Sequence, residues 1–217
     1  MAFAARKVVA VSDLRARSLY LCVGAREDMS DFLPAVLRGG VDVVQLREKN
    51  APDEVRLAQA RMMVPICHDF DVPFVMNDSA ELALAVGADG VHVGQDDATV
   101  AHCRAVLGPD ALVGLSTHAD SEFDEGLLEP VTYLSAGPIV PTPTKVGRAG
   151  TGVDYAVRAQ ARSALPVFVT GGVTDQNVGE LVALGLRHFV VVRYLTESSD
   201  PEKSARALRQ ALDFALA

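Results

Sequence analysis

The feature that most constrains this chain is a unit that recurs along it. Each unit is a short, nearly continuous apolar run, then a polar turn, then a segment with apolar residues at helical spacing. The runs fall at 19–23, 41–46, 72–76, 91–93, 111–115, 133–136, 167–170 and 189–192. Runs of this kind are what buried parallel strands look like, because both faces of such strands are covered. The helical segments carry their own punctuation. Ser30 and Asp31 open one that Gly39-Gly40 closes, and Asp53 opens another along Val55, Ala58, Met62 and Ile66. Ser79 opens a third, a fourth runs from Asp97 to Leu107, Thr174 opens a later one, and Asp200-Pro201-Glu202 opens the last. Pro65 lies inside the second and is expected to kink or interrupt it. Unit junctions also resemble one another, as in Gly40-Val41-Asp42, Gly87-Ala88-Asp89 and Gly185-Leu186-Arg187. Eight such units predict an α/β chain folded as one (β/α)8 barrel over residues 18–217, with residues 1–17 as an N-terminal arm or capping helix. A doubly wound open sheet competes with this reading. It calls for a nucleotide fingerprint, and the sequence has no Gly-x-Gly-x-x-Gly after the first run and no Walker loop.

Composition narrows the partners. With 217 residues that are 49% hydrophobic, the chain has ample material for one core. A net charge of −8 argues against broad nucleic-acid binding and against an anionic membrane surface. Cys22, Cys67 and Cys103 are scattered without paired spacing, which fits a reducing compartment better than a disulfide framework or a zinc site. The apolar stretch after Arg6 and Lys7 stops at Ser12-Asp13, too short for a signal peptide or a membrane span. The expectation is a soluble cytoplasmic protein with small-molecule partners, no nucleic acid and no membrane, and with a homo-oligomer left open.

In a barrel of this type the active site gathers at the C-terminal ends of the strands. The residues expected there are Gln45-Leu46-Arg47-Glu48-Lys49, Asn77-Asp78, Gly94-Gln95-Asp96-Asp97, Ser116-Thr117-His118, Gly171-Gly172 and Arg193. After the sixth run comes a long segment from Gly137 to Gly152 with three prolines and several glycines, bearing Thr142, Thr144, Lys145 and Arg148. No regular element passes through such a segment, and its hydroxyls and cations suit an anion-binding lid. Asp78 and Asp97 end adjacent strands, where bare carboxylates repel. A Mg²⁺ ion relieves this and characteristically joins one or two carboxylates to substrate phosphates. Ion pairing to Lys49 or Arg47, or an N-cap role for Asp97, are the structural alternatives. Arg47, Lys49 and Lys145 aim cations at the mouth of an acidic protein, and Gly171-Gly172 with the eighth strand's end offers backbone N–H groups to a second anion. His92 reads as a satisfied core histidine, whereas His118 at the mouth is a candidate substrate contact. No lysine sits within a strand, which weakens a Schiff-base aldolase reading.

With these residues in place the chain resembles the thiamine phosphate synthase family from Leu19 onward. The motifs that carry the resemblance are Gln45-Leu46-Arg47-Glu48-Lys49, Asn77-Asp78, Gly90-Val91-His92-Val93-Gly94-Gln95-Asp96-Asp97, Gly114-Leu115-Ser116, Thr142-Pro143-Thr144-Lys145 and Gly171-Gly172-Val173. The resemblance implies a transferase that couples 4-amino-2-methyl-5-hydroxymethylpyrimidine diphosphate to a thiazole phosphate and releases pyrophosphate. It implies Mg²⁺ on Asp78 and Asp97. It implies pyrimidine diphosphate contacts from Gln45, Leu46, Arg47, Glu48, Lys49, Asn77, Ser116 and Lys145. Of these, Arg47, Lys49, Lys145 and Ser116 would act on the reaction itself. Thr142, Pro143, Thr144, Gly172, Val192 and Arg193 would hold the thiazole phosphate. Arg193-Tyr194 departs from the family, which commonly has smaller residues there. A thiazole tautomerase of the same barrel family and a non-catalytic phosphate-binding barrel are the alternatives. The first does without the full set of cations and acids that this chain carries, and the second predicts binding without turnover or metal dependence.

Overall fold

The computed structural model describes residues 14–141 and 150–217. Eight strands alternate with helices: β1 Leu19–Val23, α1 Met29–Arg38, β2 Val43–Leu46, α2 Asp53–Asp69, β3 Phe74–Asn77, α3 Ala80–Val86, β4 Gly90–Val93, α4 Val100–Leu107, β5 Leu112–Thr117, α5 Asp120–Gly126, β6 Tyr133–Ala136, α6 Val153–Arg162, β7 Val167–Thr170, α7 Val178–Ala183 and β8 His188–Val191. A short helix α8, Arg193–Thr196, and a long helix α9, Pro201–Leu216, complete the chain. The strands pair in sequence order, all parallel, and β8 returns to β1 through Leu19 opposite Phe189 and Tyr20 opposite Val190, so the sheet closes into a barrel. The (β/α)8 expectation holds, and the open sheet is excluded.

Period-two alternation sorts the strand residues into two sets. Leu19, Leu21, Val44, Leu46, Phe74, Met76, Val91, Val113, Leu134, Val167, Val169 and Phe189 belong to the outer cluster, which the helices cover. Tyr20, Val43, Val75, Leu112, Tyr133 and Phe168 form a separate inner cluster, joined by Leu14 from the segment before β1. Each fully buried large side chain contributes roughly 1.5–3 kcal/mol of transfer free energy, so the outer layer supplies most of the drive to fold. The last helix ties the ends of the chain together. Arg209 donates from Nη2 to the Gly40 carbonyl at 2.8 Å and also pairs with Asp42, whose carboxylate accepts the Ser18 and Leu19 N–H groups at 3.0 and 2.8 Å.

Element boundaries differ locally from the sequence reading. Ser79 and Asp200 cap their helices as expected, accepting from the N–H groups of Leu82 and Lys203. Asp53 is the first helical residue, not the cap, and Pro52 precedes it. Thr99, not Asp97, caps α4, because the Asp97 carboxylate is already engaged by the Gly94 N–H at 2.8 Å. Asn177, not Thr174, precedes α7, and its side-chain oxygen accepts the Thr174 N–H at 2.9 Å. Pro65 does not interrupt α2, which runs from Asp53 to Asp69. Pro65 and Arg61 both face solvent, so water can satisfy the Arg61 carbonyl that lacks its usual partner.

Candidate active site

The C-terminal ends of the strands surround a cavity of about 340 Å³. Its walls come from all eight strands. Tyr20 and Cys22 line it from β1, Gln45 from β2, Asn77 from β3, His92 from β4 and Ser116 from β5. Tyr133 and Ser135 line it from β6, Thr170 from β7 and Val190 from β8. All are strand positions that point inward, either within the inner cluster, as Tyr20 and Tyr133 are, or further along the same strands, and parallel pairing keeps them level. Cys22 lies opposite Gln45, Asn77 opposite His92, and Ser116 opposite Ser135.

The cavity floor is one hydrogen-bonded polar chain. Cys22 Sγ donates to Gln45 Oε1 at 3.2 Å, and Gln45 Nε2 donates to the Tyr20 hydroxyl at 3.0 Å. Tyr20 and Tyr133 hydroxyls meet at 3.0 Å, Tyr133 meets His92 Nδ1 at 3.0 Å, and His92 Nε2 meets Ser116 Oγ at 2.8 Å. Burial pushes both phenols well above their ordinary range, so they remain protonated. Gly114 makes the arrangement possible. A Cβ there would stand 2.1 Å from the Tyr133 ring and 2.4 Å from His92 Nδ1, so no other residue leaves room for both side chains. Gln95 fixes the Ser116 backbone from above, donating to its carbonyl at 2.7 Å.

Charge sits at the rim. Arg47 and Arg193 line the cavity, and neither has a carboxylate partner among the described residues. Lys49 turns aside from Arg47 to Asp78 and Asp97. Its Nζ lies 3.0 Å from Asp78 Oδ2 and 3.9 Å from Asp97 Oδ2, the ion-pair alternative of the sequence reading. Asp78 holds this position with φ of +67°, in the left-handed region that few residues other than glycine adopt. Burial pushes the Asp78 carboxyl above the usual range, with Asp97 adding to the rise and Lys49 opposing it. Burial of Asp97 is outweighed by its hydrogen bonds to Asp78 and the Gly94 N–H and by the Lys49 charge, which hold it below the usual range. No cluster of three or more His, Cys, Asp or Glu residues suited to a metal is present among the described residues, so a cation here would draw two protein carboxylates and take its other ligands from substrate or water.

On the far side, the β7–α7 turn forms a second polar end. Gly171, at φ +101°, passes so close to the preceding loop that a Cβ would lie 2.8 Å from Pro138 and 2.9 Å from the Ile139 nitrogen. Asn177 Nδ2 pins the Gly172 carbonyl at 2.8 Å, and Gly171, Gly172 and Val173 line the cavity. Val192, Arg193, Tyr194 and Glu197 close this end. Burial pushes the Tyr194 phenol up to about 12, and its hydrogen bond to Asp175 adds to the shift.

The predicted residues therefore separate. Gln45, Arg47, Asn77, Ser116, Gly172, Val192 and Arg193 meet around the cavity. Lys49, Asp78 and Asp97 meet beside it. The Leu46 side chain packs outward into the helix-facing cluster. Glu48 turns back to accept the Ala25 and Asn50 N–H groups, both at 3.2 Å. Thr142, Pro143, Thr144 and Lys145 lie outside the described residues. His118 is not a cavity residue; it pairs with Glu122 at 3.0 Å. His92 has both ring nitrogens hydrogen-bonded, as a satisfied core histidine should, yet it also faces the cavity. Tyr20, Cys22, Tyr133, Ser135 and Thr170 line the cavity from within their strands and are not among the residues expected from the sequence. Polar or aromatic residues at alternate positions of otherwise apolar runs were the available signal.

A family model described as thiamine monophosphate synthase matches residues 19–195. The chain belongs to this family. Among thiamine-phosphate synthases, that of Nostoc punctiforme is 40% identical over 183 residues, covering 84% of this chain and 52% of that protein. That of Mycobacterium tuberculosis strain H37Ra is 38% identical over 216 residues, covering 93% of this chain and 97% of that protein. The chain thus spans little more than half the length of the cyanobacterial relatives and almost all of the mycobacterial one. Among solved structures, thiamine phosphate pyrophosphorylase from Pyrococcus furiosus superposes with a TM-score of 0.84 at 26% identity, over 94% of this chain and 100% of that one. A 3-hexulose-6-phosphate synthase, at TM-score 0.67 and 15% identity, shares the fold alone. No helix among the described residues is long and apolar enough to cross a membrane.

Proposed function

We propose that this member of the thiamine monophosphate synthase family couples 4-amino-2-methyl-5-hydroxymethylpyrimidine diphosphate to a thiazole phosphate, giving thiamine monophosphate and pyrophosphate. The observation that carries the reading is a cavity with a hydrogen-bonded polar floor, with Arg47 on its rim and Lys49 beside it at one end and the Gly171-Gly172 turn with Arg193 at the other. Two anions can bind there with a neutral heterocycle between them. Arg47, Lys49, Asn77 and Ser116 hold the diphosphate, and the glycine N–H groups with Val192 and Arg193 hold the thiazole phosphate. Lys145, with Thr142, Pro143 and Thr144, belongs to the same reading on sequence grounds.

The chemistry these residues support is dissociative. As the C–O bond to the diphosphate breaks, negative charge grows on the leaving group, and Arg47 and Lys49 stabilise it where it forms. The thiazole nitrogen, held in the same cavity, is the nucleophile placed to reach the resulting pyrimidine cation. No protein nucleophile and no strong base are required. Asp78 and Asp97 offer the two carboxylates that would hold Mg²⁺ together with diphosphate oxygens, and Lys49, which neutralises them in the ligand-free chain, would turn to the diphosphate. When bound, Mg²⁺ supplies further neutralisation of the diphosphate. Three buried cysteines, each outside any disulfide, accord with the reducing cytoplasm as its place of action.

The test is pyrophosphate release from the two substrates together. Release should require both, stop on chelation and return with Mg²⁺. Pyrophosphate released from the pyrimidine diphosphate alone at the same rate would overturn the coupling reaction. Full turnover in excess chelator would remove the metal from the reading.

A further inference from the structure

We propose that His92 is a positioning residue that turns the Ser116 hydroxyl into a hydrogen-bond donor for the anionic ligand. The inference rests on the reading that a diphosphate lies beside Ser116, and it concerns the direction of the hydrogen bonds beneath the cavity. Cys22 Sγ donates to Gln45 Oε1 at 3.2 Å, so the Gln45 amide nitrogen points the other way and donates to the Tyr20 oxygen at 3.0 Å. The Tyr20 proton then goes to Tyr133 at 3.0 Å, and the Tyr133 proton to His92 Nδ1 at 3.0 Å. A buried hydroxyl proton needs an acceptor, and reversing any one of these links aims two protons at each other. His92 Nδ1 is therefore an acceptor, and the ring is the Nε2–H tautomer. Its Nε2–H donates to Ser116 Oγ at 2.8 Å.

Ser135 Oγ also donates to Ser116 Oγ, at 3.4 Å. With its oxygen accepting from two sides, Ser116 keeps its own proton for the cavity that it lines. The direction matters for an anion. Diphosphate oxygens are acceptors, so a Ser116 that spent its proton on His92 would turn a lone pair toward them. Five strands thus contribute to a relay whose outcome is one correctly aimed O–H. Ser116 touches the ligand, and His92 acts through it, with Tyr133 and Tyr20 setting its tautomer.

Two measurements test this. In the ligand-free chain, ¹⁵N spectra of the histidine rings should show His92 protonated on Nε2 and bare on Nδ1. The opposite tautomer overturns the proposal whatever the activity. In the coupling assay, His92→Leu should lower kcat roughly ten- to hundredfold with a smaller change in KM, the scale of one hydrogen bond to a charged group. His92→Gln, whose amide can donate from the Nε2 position, should recover most of that loss. Combined with Ser116→Ala, His92→Leu should add little, because both act through one O–H. Losses that multiply, or a wild-type kcat in His92→Leu, overturn it. If the native chain releases no pyrophosphate, the coupling function falls, and the tautomer still decides the relay.

Discussion

The two halves of the barrel interior are built from the same strands and differ by two residues along each. Val43 lies in the lower, apolar half and Gln45 in the upper, polar half; Val75 is followed by Asn77, and Phe168 by Thr170. On β5, Leu112 below gives way to Gly114 and then Ser116. Two tyrosines bridge the halves. The Tyr20 and Tyr133 rings pack edge-on to Phe168, with centroids 5.1 and 5.4 Å away, while their hydroxyls enter the polar chain. A two-residue step keeps the side chain on the same face of the sheet, so one barrel holds a dry plug and a wet site without changing its backbone. What this teaches is that stability and chemistry are separable here along the barrel axis, and substitutions should divide accordingly.

The largest effect should come from the lower half. Phe168→Ala empties the centre of the inner cluster, and truncation of a buried Phe typically costs about 3–5 kcal/mol. For a chain of this size that is a fall in Tm of roughly 10 °C, read by thermal unfolding. The protein that remains folded should keep its KM for both substrates. A large rise in KM with little change in Tm would break the division between the halves.

Arg47→Ala in the upper half should do the reverse. Loss of one preorganised electrostatic partner costs roughly 10²–10³-fold in kcat. Arg47 is half-buried and has no ion-pair partner among the described residues, so Tm should move by little more than about 0.5 kcal/mol's worth. Steady-state kinetics beside a melting curve reads both. A variant that melts early but turns over normally would move Arg47 from the site to the scaffold.

The same division explains what the sequence made legible. The outer face was readable because it is apolar in every strand, and eight apolar runs with helical spacing between them point to a closed barrel. Rim residues were readable too, since Arg47, Asn77, Asp78, Asp97 and Gly171-Gly172 follow the strands as polar breaks in an apolar pattern. The wet half of the interior was harder. Tyr133 and Tyr20 count as ordinary strand formers, and their hydroxyls acquire a role when Gly114, a residue with no side chain, leaves space beside them. Lys49 shows a different limit. Spacing placed it beside Arg47, but the left-handed turn at Asp78 brings a carboxylate to its ammonium group, and backbone geometry of that kind is not written in residue type. Helix starts slipped for a similar reason, as Asp97 was spent on its own turn before α4 began.

The smallest effect concerns a histidine at the dry end. His188 begins β8 and is 8% exposed, with its ring 5.1 Å from Phe168 and its Nδ1 2.6 Å from the Arg17 carbonyl. Burial pushes its pKa below the ordinary value, against the Arg17 carbonyl and Asp42, which favour the charged form, while Arg187 opposes it. The folded chain therefore takes up this proton less readily than the unfolded one. Its contribution to stability is complete above the unfolded value of about 6.5 and is lost as pH falls through it. The slope is bounded by one proton, at most about 1.4 kcal/mol per pH unit. The paired carboxyls of Asp28, Asp120 and Glu202, all held below their usual range, lose their contribution at lower pH, whereas burial raises Asp42 and Asp78, so His188 is read from the difference between native chain and variant over pH 7.5 to 5.5. His188→Asn keeps an N–H for the Arg17 carbonyl and removes the titration. Urea unfolding across that interval should show the native chain losing more stability than the variant, by up to about 1 kcal/mol. Equal slopes would mean that His188 titrates alike in both states. The dry end would then be wet enough to charge a histidine, and the contrast between the two halves would fail at its lower boundary.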